Sequence, residues 1–337
     1  MIRIAVDAMG GDRGPETILE GALDAARQGG LSLSLVGDER LLRDLLASRF
    51  GAGPLDLDLG VVHASDVVGM GEAPTAALRR RPEASIRVAA AEVGSGRAAA
   101  LFSAGNTGAT VMAAHAAFGM LGGAERPALA AIVPTRQSSA ILLDVGANVE
   151  CRPQHLVQFA AMGAVYARLA LGVERPRVGL LSIGEEETKG NELTREAHRL
   201  LKAGGLEFIG NIEARQVYAG GADVIVCDGF TGNIALKVCE GLVELMGELL
   251  RDGVARLGPE LAQAVGPALF DRFERRVDDA ESGAVPLLGV AGLALIGHGR
   301  SSAKAVRQGI LAAARLASAG FIGRLEQELA SVGGSHR

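Results

Sequence analysis

Short apolar runs alternate along this chain with longer segments whose apolar positions recur every three or four residues. That is the pattern of βα units that build a mostly parallel sheet covered by helices on both faces. Strands are predicted over 3–6, 32–36, 55–62, 98–102, 128–133, 140–143, 177–183, 206–209, 223–227 and 293–296. Most of them end in Gly, Asp, Asn or Ser, which sets polar turns at the carboxyl ends of strands, where open α/β sheets bind their ligands. The fold class read from this is a three-layer α/β/α sandwich, with residues 1–337 forming a single α/β unit. From 234 to 281 the alternation gives way to a helical pattern broken near Gly258-Pro259 and Gly266-Pro267. Ala235, Val238, Leu242, Leu245 and Leu249 mark an apolar stripe on one arm, and Leu261, Val265, Leu269, Phe273 and Val277 mark one on the other. A helical hairpin inserted in the unit is expected there. Its stripes either pack on the hairpin's own sheet or form a subunit interface, and apolar faces beyond what a closed sandwich needs favour a homodimer.

Composition narrows the function classes. With 48% apolar and 22% charged residues the chain reads as a soluble globular protein, and its 47 glycines lack a G-X-Y period. Aromatics make up 3% with no Trp, and the net charge is −5, so neither base stacking nor a basic footprint argues for nucleic acid. Cys151, Cys227 and Cys239 show no CxxC spacing, Asp7 interrupts the N-terminal apolar run, and no uncharged apolar run of membrane length occurs. A cytoplasmic location is the expectation. His63, His115, His155 and His198 lack partners at ligand spacing, so no metal and no cofactor is expected.

The candidate chemistry lies in the strand-end turns. The first runs Asp7-Ala8-Met9-Gly10-Gly11-Asp12, with Pro15 opening a helix. Its glycines let backbone N–H groups approach an anion. Ser103-Ala104-Gly105-Asn106-Thr107-Gly108 offers capping oxygens at another helix start and is the strongest phosphate cradle, so Asn106 is expected to serve phosphate more than the fold. Asp144, followed by Gly146 and Asn148, ends one strand, and Asp228, followed by Asn233, ends another. In Gly184 to Glu192, Glu185 to Glu187 read as a solvated face. Lys189 and Asn191 flank Gly190 as site candidates, since an ammonium pairs with phosphate as a point charge. His298, between glycines and near Ser301, is a candidate acid or base. Arg79-Arg80-Arg81 and Arg272, Arg275 and Arg276 are the densest basic groups.

Taken together, VDAMGGD (6–12), SAGNTGA (103–109), LLDVGAN (142–148), GEEETKGNEL (184–193), CDGFTGN (227–233), PLLGVAG (286–292) and HGRSSAKA (298–305) resemble the PlsX family of phosphate acyltransferases, over about residues 2 to 320. The resemblance implies conversion of acyl-ACP and inorganic phosphate to acyl phosphate and acyl carrier protein, supplying phosphatidic acid and phospholipid synthesis. It also implies a fold like those of phosphotransacetylase and the isopropylmalate/isocitrate dehydrogenases, and a homodimer that contacts the membrane, or a membrane acyltransferase, peripherally. Here phosphate itself is the nucleophile, so no catalytic Ser or Cys is needed. Ser103, Asn106 and Thr107 would orient it, with Asp7, Gly10, Gly11, Asp12, Asn148, Asn233 and Ser301 lining the substrate. Lys189, Asn191 and His298 would stabilise charge or protonate the leaving thiolate, with Asp144 and Asp228 orienting them. The alternatives are an NAD-dependent decarboxylating dehydrogenase of similar fold, and a noncatalytic membrane-surface scaffold.

Overall fold

A strand with helices on both sides is buried at every position, and β2 (Ser32–Gly37) is of that kind. A computed structural model describes residues 1–50, 57–277 and 283–333. Beside β2 the sheet contains β1 (Arg3–Asp7), β3 (Leu59–His63), β4 (Ala100–Ser103), β5 (Ala128–Pro134) and β6 (Ser139–Leu143). It continues with β7 (Val178–Ser182), β8 (Phe208–Glu213), β9 (Val224–Val226), β10 (Val285–Leu288) and β11 (Leu293–Ile296). The order is β3-β2-β1-β4-β11-β10-β5-β6-β9-β7-β8. The predicted strands are present apart from shifts at their ends, and residues 55 and 56 of the third lie outside the described residues. β10 was not predicted.

Helices cover both faces. On one side lie α1 (Gly14–Gly29), α2 (Glu39–Phe50), α6 (Pro153–Ala170), α7 (Glu192–Ala203), α10 (Ala303–Ser318) and α11 (Phe321–Gly333). On the other lie α3 (Pro74–Arg80), α4 (Ser85–Gly94) and α5 (Thr107–Phe118). Two helices, α8 (Gly229–Ala255) and α9 (Pro259–Val277), pack against each other. α8 begins five residues before the predicted hairpin, so Gly229 to Asn233 form helix and not loop. α9 runs through Pro267 without the predicted break, forgoing only the bond that a proline cannot donate. Residues 278–281 and the side chains of Arg272, Phe273, Arg275, Arg276 and Val277 lie outside the described residues. Val238, Leu242, Leu245 and Leu249 on α8 are 64%, 55%, 52% and 58% exposed, so this stripe does not pack on its own sheet.

Strand direction positions the site. β3, β2, β1, β4 and β11 are parallel. β10 is antiparallel to β11 and β5, and β5 is antiparallel to β6, after which β6, β9, β7 and β8 are parallel again. Three reversals leave the second group running opposite to the first. Its turns therefore leave the sheet in the opposite direction, which corrects the expectation of one crevice for all of them. The register shows how near the two sets of ends lie. The Val145 N–H donates to the Leu129 carbonyl, and Leu129 pairs with Leu287, Leu287 with Ala294, Ala294 with Leu101, and Leu101 with Ala5. The ends after β6 and after β1 and β4 thus fall within about 7 Å of one level along the strands, and β4 and β6 are roughly 19 Å apart sideways at the usual strand spacing.

Candidate active site

The turns after β1, β4 and β11 interlock through their backbones. The Gly297 N–H donates to the Ser103 carbonyl at 2.8 Å, and the Asp12 N–H donates to the Gly299 carbonyl at 2.8 Å. Gly10 sits so close that a Cβ there would lie 2.7 Å from the Gly105 nitrogen, which is why this turn needs glycine. Beneath them the Ser103 hydroxyl donates to Asp7 Oδ2 at 2.8 Å and accepts from the Gly105 N–H at 3.1 Å. Burial pushes the Asp7 carboxyl up, against hydrogen bonds from Ser85, Ser103, Met9 and Gly10 that pull it down. Thr107 is exposed on the first turn of α5, Gly11 and Asp12 face the same turn group, and Ser301 is buried behind His298. His298 is exposed on the rim.

Asn106 differs from its expected role. Its Oδ1 accepts from the Ala109 N–H at 3.0 Å, capping α5, and its Nδ2 donates to the carbonyls of Gly69, Met70 and Glu72 at 3.2, 3.0 and 3.0 Å. Both amide hydrogens are engaged in clasping the 69–72 segment over the helix start. Glu72 in turn pairs with Arg81 at 2.7 Å, which takes Arg81 out of the free basic group and leaves Arg79 and Arg80 exposed.

The turns after β6 and β9 form a second group. Asp144, fully buried, accepts at Oδ1 from the N–H groups of Leu129, Gly146 and Ala147. At Oδ2 it accepts from the Asn148 N–H at 2.7 Å and the Asn148 side chain at 2.8 Å. Burial pushes its pKa up. All five neighbours are donors, however, so the ionised form is the one that fits. Gly229 and Gly232 let α8 start against this loop, since a Cβ on Gly232 would lie 2.0 Å from the Asp144 carbonyl oxygen. Asp228 caps α8 by accepting from the Thr231 N–H at 2.9 Å, and Asn233 donates to the Val145 carbonyl at 3.1 Å. Cys227 is buried and its thiol is pushed well up by burial, and Cys151 is pushed up to about 11, so neither is a ready thiolate.

Lys189 and Asn191 stand apart, after β7. Asn191 caps α7 by accepting from the Thr194 N–H at 2.9 Å, and Lys189 is exposed. Glu185 to Glu187 are exposed, as a solvated face requires; Glu185 also accepts from Gln216 at 3.0 Å, and Glu187 pairs with Lys202. Nearby, the buried Ser182 hydroxyl has no hydrogen-bond partner among the described residues.

Side-chain contacts that no local pattern signals join α8 to the first group: Lys237 Nζ lies 3.5 Å from His298 Nε2, and Arg300 lies 3.6 Å from Glu244. The signal available was the single lysine of this helix, on its polar face with Glu240, Glu244 and Glu248. Among the described residues no three His, Cys, Asp or Glu side chains converge as metal ligands, and no helix is long and apolar enough to cross a membrane.

Comparison with known proteins bears on this geometry. The family model described as "Fatty acid synthesis protein" matches residues 2–324. The phosphate acyltransferase of Geobacter sulfurreducens is 47% identical over 329 residues, covering 97% of this chain and 94% of that one. A phosphotransacetylase structure from Streptococcus pyogenes covers 94% of both chains with a TM-score of 0.65 at 16% identity. A Salmonella typhimurium structure described as a 4-hydroxythreonine-4-phosphate dehydrogenase covers 94% of this chain and all of its own with a TM-score of 0.52 at 14% identity. At these identities the two structures show a shared fold.

Proposed function

The chain belongs to the fatty acid synthesis protein family, whose relatives are phosphate acyltransferases, and on that premise we propose that it transfers the acyl group of an acyl carrier protein thioester to inorganic phosphate. A phosphate oxygen adds to the thioester carbonyl carbon. The adduct expels the carrier thiolate as the C–S bond breaks, and the proton brought by hydrogen phosphate ends on sulfur. The acyl phosphate formed supplies phosphatidic acid and phospholipid synthesis. The observation that carries this reading is the cradle in which the turns after β1, β4 and β11 surround the start of α5, with Ser103 fixed by Asp7 and His298 on the rim. The Gly11 backbone N–H and the Thr107 hydroxyl would hold phosphate, and His298 would stabilise charge from the rim. The second group, Asp144, Asn148, Asp228 and Asn233, with Lys189 and Asn191 beyond it, would take the carrier's thioester arm.

The exposed stripe of α8, joined by Leu257 at the bend and by Leu261 and Val265 on α9, supports a homodimer by isologous contact. Arg256 beside Leu257 at the bend supports a peripheral membrane touch by a cytoplasmic enzyme. Arg79 and Arg80 offer the acidic carrier a basic edge. The test is incubation with acyl-ACP and phosphate, with hydroxylamine trapping of acyl phosphate. Phosphate-dependent hydroxamate is expected. Carrier release that ignores phosphate, or none at all, refutes the reading.

A further inference from the structure

Lys237 comes from α8, which starts on the second turn group, and His298 from the turn after β11 in the first. The Lys237 ammonium donates to Glu240 Oε2 at 2.7 Å and lies 3.5 Å from His298 Nε2. The other ring nitrogen, Nδ1, accepts from the Arg300 backbone N–H at 3.2 Å. A backbone amide at neutral pH is a donor only, so Nδ1 is the acceptor of the neutral ring and the proton sits on Nε2. The N–H on Nε2 therefore points at an ammonium. Two donors facing each other do not crosslink a helix to a turn, and a structural tie would have set an acceptor there. An anion oxygen between them takes one hydrogen bond from each.

The surroundings suit that occupant. The turn carrying His298 is bonded to Ser103 and Asp12, so the pair opens on the rim of the cradle. The charged groups around it are Lys237, Glu240, Arg300 and Glu244, the last two 3.6 Å apart, with Asp12 beside Gly299. Each cation is steadied by one carboxylate of α8, which leaves donors over on both. The geometry points to Lys237 as a phosphate-binding catalytic residue that shares one oxygen of the reacting phosphate with His298. This assignment rests on the acyl-transfer reading for its role in turnover, but not for the binding itself. With phosphate held there, the imidazole N–H and the ammonium both donate to one of its oxygens and offset the charge that builds on the adduct.

The test is calorimetric titration of inorganic phosphate into the whole protein, wild type beside Lys237→Met, Lys237→Arg and Glu240→Gln. Lys237→Met is expected to weaken phosphate binding about ten-fold or more, the loss typical of a charge-assisted hydrogen bond, and Lys237→Arg to recover part of it. Glu240→Gln keeps the lysine, removes its competing carboxylate and is expected to tighten binding, so the inference stays open to refutation even if Lys237→Met folds poorly. In turnover, the KM for phosphate should rise in Lys237→Met while the KM for acyl-ACP stays. Wild-type phosphate affinity in a folded Lys237→Met, unchanged or weaker affinity in Glu240→Gln, or no phosphate binding by the wild type overturns the inference. Failure of the wild type to form acyl phosphate would instead overturn the acyl-transfer reading, and the binding series would still decide on Lys237.

Discussion

Replacing Asn106 with alanine removes two separate contributions that the geometry allows to be told apart. The cap bond to the Ala109 N–H at 3.0 Å is worth about 1 kcal/mol. The two amide hydrogens shared among the carbonyls of Gly69, Met70 and Glu72 add about 1 kcal/mol each, less whatever the freed carbonyls regain from water. Asn106→Ala should therefore cost about 2–3 kcal/mol, a fall in Tm of roughly 3–4 °C for a chain this long. Asn106→Ser keeps a capping oxygen but cannot reach the three carbonyls, so its cost should be about 1–2 kcal/mol. Denaturant unfolding gives the two values. Hydrogen exchange over residues 69–72 should speed up in both variants, because both release the clasp. An alanine variant within about 0.5 kcal/mol of wild type, or exchange in 69–72 that does not change, would show that the clasp is not what holds this segment.

Ser103→Ala leaves Asp7 Oδ2 without its 2.8 Å donor beneath the cradle, and should lower kcat/KM for phosphate at least ten-fold, as phosphate-dependent hydroxamate formation would reveal. Gly232→Ala sets a Cβ 2.0 Å from the Asp144 carbonyl oxygen, so α8 must shift; a loss above about 3 kcal/mol is expected, and a thermal melt like wild type would contradict it. Burial raises the Asp223 pKa, but its side-chain and backbone bonds from Arg177 outweigh that and hold it below the usual carboxylate range. Asp223→Asn should thus destabilise the protein at pH 7, by an amount that shrinks as pH falls from the unfolded carboxylate pKa of about 4 through the lower folded one, and a pH-independent difference would argue against this. Leu242→Glu on the exposed α8 stripe should give a monomer by sedimentation; a persisting dimer would place that contact elsewhere.

The parallel strands were legible because burial on both faces leaves unbroken apolar runs, as in β1 and β9. β10 was not, because Val285 to Leu288 is short, carries Pro286 and follows a helical stretch. The start of α8 read as loop because Gly229 and Gly232 are poor helix formers, and their reason is tertiary: only glycine fits against Asp144 and Asn148. For the site, residue type could not separate a ligand from a cap. Asn106, Asn191 and Asp228 all sit at helix starts and all accept the capping N–H, a geometry that either role would place at the same spot in the sequence. The role of Lys237 has no local signature, because its partner is 61 residues away, across a strand reversal.

α8 is also a lever. Its 27 residues make a rod of about 40 Å, pinned near one end where Gly232 meets the Asp144 loop, with Lys237 about 7.5 Å and the far end at Ala255 about 35 Å from that pivot. A rigid tilt about the pivot is therefore geared down roughly five-fold between tip and ammonium. A surface that drags the far end through about 3 Å moves Lys237 by about 0.7 Å, enough to stretch a hydrogen bond and too little to break the packing around it.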